Sequence, residues 1–127
     1  MDERKICPLI FIVEDDEDDK LILSQELKDS GLEKESHIFS SIHELLDSSD
    51  PSITPSVILL DAFSREIDIR EAIDLIKSDE KLSAVPILVM IGGKTEKGYL
   101  RSYQLDVTGY IAKPVNVQVL KRFLKLS

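Results

Sequence analysis

The sequence predicts an α/β protein of five β/α units, in which a parallel sheet lies between two layers of helices. Two runs, SVILLD (56–61) and PILVMI (86–91), are apolar without alternation, which is typical of strands covered on both faces. Residues 69–78 then place apolar side chains at the spacing of one helical face. Apolar strands that alternate with helices favour a parallel sheet with right-handed crossovers.

The remaining elements follow from the same patterns in chain order. Strands are predicted at 8–13, 37–40, 56–61, 86–91 and 108–112, and helices at 18–30, 41–47, 69–78, about 95–105 and from Asn116 onward. Gly31 stands where a glycine commonly ends a helix.

Size and composition indicate one soluble domain with no output domain attached. The chain has 127 residues, and no run approaches the roughly 18 apolar residues that span a membrane. The first residues are too acidic for a secretory signal, and the single cysteine, Cys7, fits a reducing cytoplasm. The net charge of −8 argues against direct binding to nucleic acid, which needs a basic surface.

Charged side chains follow several of the predicted strands. Glu14 and Asp15 follow the first strand, Asp61 ends the third, and Lys113 follows the fifth. Ligands of an open parallel sheet bind at the carboxyl ends of its strands, so these groups are expected to meet at one edge. Three adjacent carboxylates repel unless a cation lies among them, and Mg²⁺ prefers such oxygen ligands. With a lysine beside it, an exposed aspartate there could form an aspartyl phosphate.

Four segments resemble the receiver domain of two-component response regulators of the chemotaxis-regulator type. They are VED at 13–15, VILLD at 57–61, VPILVM at 85–90 and GYIAKP at 109–114. The resemblance covers essentially the whole chain in order. It implies a flavodoxin-like (βα)5 sandwich with the strand order 2-1-3-4-5.

The resemblance also implies a metal site and a phosphoacceptor. Glu14 and Asp15 are similar in position to the acidic pair that binds Mg²⁺ or Mn²⁺, and Asp61 to the phosphoacceptor, which shares the metal. The backbone carbonyl of Phe63 matches the family's third metal ligand.

Further positions match the family's phosphate-pairing lysine and its aromatic switch residue. Lys113 resembles the lysine that pairs with the phosphate, and the Lys113–Pro114 peptide is often cis in the family. Tyr110 matches the aromatic switch residue, three positions before the lysine.

The switch position departs from the family. Ile91 stands where receivers usually carry the Thr or Ser whose hydroxyl binds the phosphoryl group, and isoleucine donates no hydrogen bond. Gly92 keeps the next position small, and the N–H groups of Gly92 and Gly93 are candidates to replace part of that contact. Ser64 and Arg65 stand where receivers commonly show Met-Pro.

Three functions compete on this reading. The first is a stand-alone receiver, phosphorylated by a histidine kinase or a histidine phosphotransfer protein. It would signal through protein contacts of its fourth helix, fifth strand and last helix, with homodimerisation possible. The second is a pseudo-receiver, a binding module that does not switch, which Ile91 supports. The third, a dehalogenase-type phosphohydrolase, needs a second aspartate where Phe63 stands. The expected activity is therefore signalling rather than classical enzymatic turnover.

The acidic run has two further interpretations. Asp16 to Asp19 are predicted to be a solvated first helical turn, where acids favour the positive end of the helix dipole. A calcium loop that starts at Asp15 is excluded because Lys20 occupies the position that requires glycine. His37 and His43 are expected to be surface residues rather than metal ligands.

Overall fold

The computed structural model describes residues 9–48, 53–92 and 104–125. Its strands are β1 (Ile10–Val13), β2 (Ser36–Phe39), β3 (Val57–Asp61), β4 (Ile87–Ile91) and β5 (Gly109–Ala112). Its α-helices are α1 (Glu17–Asp29), α2 (Ile42–Asp47), α3 (Ile69–Lys77) and α4 (Val117–Phe123), and a 3-10 turn spans Glu33–Glu35. The strands form one parallel sheet in the order β2-β1-β3-β4-β5, which confirms the predicted class and strand order.

The two faces of the sheet carry separate hydrophobic clusters. Every residue of β3 and β4 is buried, which explains why these strands show no polar alternation. Successive residues of β3 point to opposite faces, so Leu60 packs with α2 and α3 while Leu59 packs with α1 and α4. The predicted helices on both faces of the sheet are thereby confirmed.

Polar side chains begin each α-helix and fix where it starts. The residues before α1, α2, α3 and α4 are Asp16, Ser41, Asp68 and Asn116, and each side chain accepts a backbone N–H from the first turn. After α1, Gly31 has a φ of +80°, a left-handed conformation that glycine adopts without steric cost. The predicted boundaries agree with these helices to within one or two residues. The helix predicted at about 95–105 lies almost wholly outside the described residues. Gly93 also lies outside them.

Hydrogen bonds beyond the strand ends fix the segments that carry the candidate site. The N–H of Glu14 donates to the carbonyl of Phe39 at 2.9 Å, and the N–H of Lys113 donates to the carbonyl of Ile91 at 2.8 Å. The sheet's hydrogen bonding therefore continues one residue past β1 and β5. It holds the backbones of Glu14 and Lys113 at the same edge as Asp61, the last residue of β3.

The described part of the chain shows neither a membrane-spanning helix nor a histidine in a candidate metal site. None of the helices seen there has the length and apolar character needed to cross a membrane. His37 and His43 are both exposed, and neither belongs to the metal-ligating cluster found among these residues.

Candidate functional site

The ammonium group of Lys113 contacts three carboxylates at the carboxyl edge of the sheet. Its Nζ lies 2.9 Å from Glu14 Oε1, 3.0 Å from Asp61 Oδ1 and 3.1 Å from Asp19 Oδ2. A lysine ammonium has three N–H donors, so each carboxylate can accept one of them. The structure thus brings together the predicted residues Glu14, Asp61 and Lys113, and adds Asp19.

Two of these carboxylates are buried and need compensating partners. The side chains of Glu14 and Asp61 are 1% and 7% exposed, and that of Lys113 is 19% exposed. Glu14 Oε2 also accepts the N–H of Asp16 at 3.1 Å, and Asp61 Oδ1 accepts the N–H of Phe63 at 3.3 Å. Because buried charges are costly when unpaired, Lys113 and these N–H groups offset the cost of burying the two carboxyl groups.

Burial and mutual repulsion make Glu14 the acid that titrates near neutrality. Loss of solvent raises the pKa of Glu14 from 4.5 to about 7, and the negative charge of Asp61 adds to the rise, against the opposing effect of Lys113. For Lys113, burial acts to lower the pKa, but the hydrogen bonds to Glu14 and Asp61 outweigh it and raise the pKa. Lys113 is therefore a permanent positive charge, while Glu14 can exchange a proton.

Asp15 completes a group of acids that suits a hard cation. Glu14, Asp15 and Asp61 each offer a carboxylate oxygen, and these oxygens all lie within 4.8 Å of one another. With Mg²⁺–oxygen distances of about 2.1 Å, two ligand oxygens lie at most about 4.2 Å apart, so a small closure would bring all three into range. The all-oxygen donor set and its spacing therefore fit Mg²⁺.

The loop after β3 is tied to the same acids. Asp15 Oδ2 accepts the N–H of Arg65 at 2.9 Å and the hydroxyl of Ser64 at 3.4 Å. The two residues that replace the usual Met-Pro thus hold the loop onto Asp15. Phe63, whose carbonyl is the predicted metal ligand, lies in this loop between Asp61 and Ser64.

The predicted switch positions differ in burial. The side chain of Ile91 is 7% exposed and packs in the hydrophobic cluster beneath α2 and α3, which also contains Ala62 and Ile69. Gly92 is exposed, and Tyr110 is 46% exposed on β5. The peptide bond between Lys113 and Pro114 is cis.

A cleft of about 340 Å³ opens beside the acids. Its polar lining comes from Glu14, Asp19 and Lys113, with Gly92 at its rim, and Ile22 and Met90 among its apolar walls. The cleft lies against Lys113 and Glu14, so a charged group that enters it meets them both.

Asp19 is the site residue that the sequence analysis missed. The solvated helical turn is confirmed for Glu17 and Asp18, which are exposed. Asp19 also lies in this turn and is 40% exposed, but its carboxylate contacts Lys113, which the sequence analysis did not predict. The signal was present: Asp19, Leu23 and Leu27 are spaced at i, i+4 and i+8, so they share one face of α1. Because Leu23 and Leu27 are buried against the sheet, that face carries Asp19 to the sheet edge.

Comparison with curated sequences finds a response regulator that matches nearly the whole chain. No protein-family profile matches. The response regulator Rcp1 of Synechocystis is 27% identical over 130 residues, which cover 98% of this chain and 88% of that protein. The probable methanogenesis regulatory protein FilR2 of Methanothrix harundinacea is 32% identical over 68 residues, or 54% of this chain. That match spans only 44% of the FilR2 protein's length.

Solved structures agree with the sequence relatives. The bacteriophytochrome response regulator AtBRR superposes with a TM-score of 0.76 at 25% identity, covering 96% of this chain and 92% of that one. The chain has the receiver fold of response regulators. The resemblance predicted from the four sequence segments is thus confirmed. The receiver domain of sensor histidine kinase PA1611 from Pseudomonas aeruginosa, solved with magnesium in its active site cleft, shares this receiver fold at 21% identity with a TM-score of 0.74, covering 93% of this chain and 94% of that one.

Proposed function

We propose that this receiver accepts a phosphoryl group on Asp61 from a phosphohistidine of a histidine kinase or a histidine phosphotransfer protein. The observation that carries the proposal is the contact of 3.0 Å between the Lys113 ammonium and Asp61 Oδ1, within a group of three carboxylates. This combination supplies a nucleophile, a fixed positive charge and oxygen ligands for a cation within one site.

The transfer step needs little beyond position and charge. A carboxylate oxygen of Asp61 forms a bond to phosphorus as the nitrogen–phosphorus bond of the phosphohistidine breaks, and the bonding electron pair returns to the imidazole nitrogen. Lys113 is placed to offset the charge of the phosphoryl oxygens because its ammonium already contacts the attacking carboxylate. The Phe63 N–H that donates to Asp61 Oδ1 helps to orient that carboxylate.

Glu14, Asp15 and Asp61 are the residues that would hold Mg²⁺ or Mn²⁺, with the backbone carbonyl of Phe63 as a further ligand. The spacing of the three acids supports this assignment, as does the magnesium ion in the PA1611 receiver. The bound cation would neutralise charge on the transferring group. The three acids of this chain would supply the ligands, and Asp15, whose Oδ2 accepts the N–H of Arg65, has a second carboxylate oxygen for that role.

The burial of Ile91 favours a second candidate, a pseudo-receiver that binds its partner without regard to phosphorylation. A side chain packed among Ala62 and Ile69 is not a phosphoryl contact, so the usual hydroxyl link between Asp61 and the rest of the fold is missing. In that case, Asp61→Asn would leave partner binding unchanged. In either case, output would pass through protein contacts in the cytoplasm, and the exposed Tyr110 lies on a face suited to them.

Incubation with Mg²⁺ and acetyl phosphate, followed by the mass of the intact protein, tests phosphoacceptance. We expect the wild type to gain the mass of one phosphoryl group and Asp61→Asn to gain none. Asp68→Asn changes an exposed aspartate in the helix cap after the same loop, and it should still be modified. An unmodified wild type, under conditions that modify an established receiver, would reject the proposal.

A further inference from the structure

Asp19 differs from the other two partners of Lys113. Glu14 and Asp61 belong to the cluster that fits a metal, whereas Asp19 contributes no oxygen to that cluster. Its carboxylate lies 3.1 Å from Lys113 Nζ and is 40% exposed. Asp19 is therefore a counter-ion of Lys113 on the solvent side of the site.

The fold fixes Asp19 in this position from two sides. Its backbone N–H donates to the N-cap carboxylate of Asp16 at 2.9 Å, which sets the first turn of α1. One and two turns further along the same helical face, Leu23 and Leu27 are buried against the sheet. A carboxylate at this position is thus held beside Lys113 by α1 itself.

The contact has a consequence for a phosphoryl group on Asp61. All three N–H donors of Lys113 are directed to carboxylates, so a phosphoryl oxygen takes the place of one of them. Asp19 is the partner that is neither the proposed phosphoacceptor nor a member of the cluster that fits a metal. Asp19 also lines the cleft beside Lys113, and its negative charge opposes the attraction of Lys113 for an anionic group.

We propose that Asp19 is a positioning residue that restrains Lys113 and competes with the phosphoryl group for its ammonium. Asp19 thereby limits both the rate of phosphorylation and the affinity for a phosphoryl group. This inference rests on the proposed function of Asp61. Through Asp19, helix α1 adjusts the phosphorylation rate and the phosphoryl affinity without a change in the nucleophile or the metal ligands.

The test compares neutral and charged variants of the first turn of α1. Beryllofluoride affinity with Mg²⁺, and the phosphorylation rate with acetyl phosphate, are measured for wild type, Asp19→Asn and Asp19→Ser. We expect both neutral variants to bind beryllofluoride about fivefold more tightly and to be phosphorylated faster. Asp19→Glu keeps the charge and should stay within about twofold of the wild type.

Asp18→Asn is the matched control. Asp18 is the adjacent acid of the same turn, is exposed, and has no contact with Lys113 among the described residues. It should change both quantities by less than about twofold. Because the expected result for Asp19 is a gain, a poorly folded variant cannot imitate it.

The outcomes separate the two proposals. Equal gains in Asp18→Asn and Asp19→Asn would mean a general effect of net charge and would overturn the role of Asp19. Unchanged or weaker binding in both neutral Asp19 variants would overturn it as well. A wild type that takes up neither beryllofluoride nor a phosphoryl group would instead reject the function of Asp61, and the inference with it.

Discussion

At the scale of single residues, the site consists of ion pairs between Lys113 and the carboxylates around it. Lys113 pairs with two buried acids, and burial raises the pKa of one of them, Glu14, to about 7. Position after a strand was sufficient to predict that Glu14, Asp61 and Lys113 meet, because parallel strands bring their carboxyl ends to one edge. It was insufficient for Asp19, whose place depends on the helical face that α1 buries.

The raised pKa of Glu14 predicts a pH-dependent stability of the metal-free protein. Because that pKa is raised from 4.5 to about 7, the folded state holds the proton more tightly than the unfolded state. The contribution of Glu14 to folding stability is therefore unfavourable above about pH 7 and fades as the pH falls towards 4.5. We expect wild type to lose about 1 to 3 kcal/mol more than Glu14→Gln between about pH 5 and pH 8.

Urea unfolding of both proteins at the two pH values measures this difference. Other titrating groups are common to the two proteins and cancel. Equal losses in wild type and Glu14→Gln would show that Glu14 ionises in the folded protein as it does in the unfolded chain.

The burial of Ile91 determines how a hydroxyl at this switch position would affect stability. Ile91→Thr places a hydroxyl within the hydrophobic cluster under α2 and α3, and we expect it to cost about 2 kcal/mol of unfolding free energy. Ile91→Val removes one methylene without adding a polar group and should cost about 1 kcal/mol. Chemical denaturation of the two variants measures both. A threonine variant as stable as the valine variant would indicate that the side chain at residue 91 can turn towards the cleft.

At the scale of elements, helix α1 packs on one face of the sheet and reaches the site through Asp19. Its start was predicted within one residue from the acidic run, and its end from Gly31. The alternating strand and helix patterns likewise predicted the positions of β3 and β4, whose residues are all buried. The contacts of the β3–α3 loop with Asp15 were beyond sequence reasoning because they depend on side-chain direction across an irregular segment.

The N-cap of α1 is expected to stabilise this helix and, through it, the position of Asp19. Asp16→Ala removes the acceptor of the Asp19 N–H and should lower the unfolding free energy by about 1 kcal/mol. Asp18→Ala, in the same turn but without a capping bond, should cost clearly less. Urea denaturation of the two variants gives the comparison. A similar loss in both would assign the effect to helix dipole charge instead of to the cap.

At the scale of the whole molecule, the fold places chemistry from distant parts of the chain on one edge. Residues 14, 15, 61 and 113 come from three different strand ends, and the order β2-β1-β3-β4-β5 makes β1 and β3 neighbours. Sequence patterns predicted a parallel sheet between helices because apolar strands alternate with helical patterns, and the resemblance to receivers implied the strand order. They could not give the distances on which the proposed chemistry depends, since these follow from packing.

A cation that binds only the assembled edge should stabilise the entire fold. We expect Mg²⁺ at about 100 times its Kd to raise the unfolding free energy by about 2.7 kcal/mol, with a matching rise in Tm. Asp15→Asn keeps an oxygen for the Arg65 N–H but loses the charge of one ligand, so the rise should largely disappear. Thermal unfolding with and without Mg²⁺ measures the effect. Equal stabilisation of the two proteins would place the cation elsewhere.

A crystal structure with Mg²⁺ and beryllofluoride tests the central claim most directly. We expect beryllofluoride on the carboxylate of Asp61 within hydrogen-bonding distance of Lys113 Nζ, and Mg²⁺ bound by Glu14, Asp15 and Asp61. Density for either group away from these side chains, or an unmodified Asp61 at saturating concentrations, would contradict it.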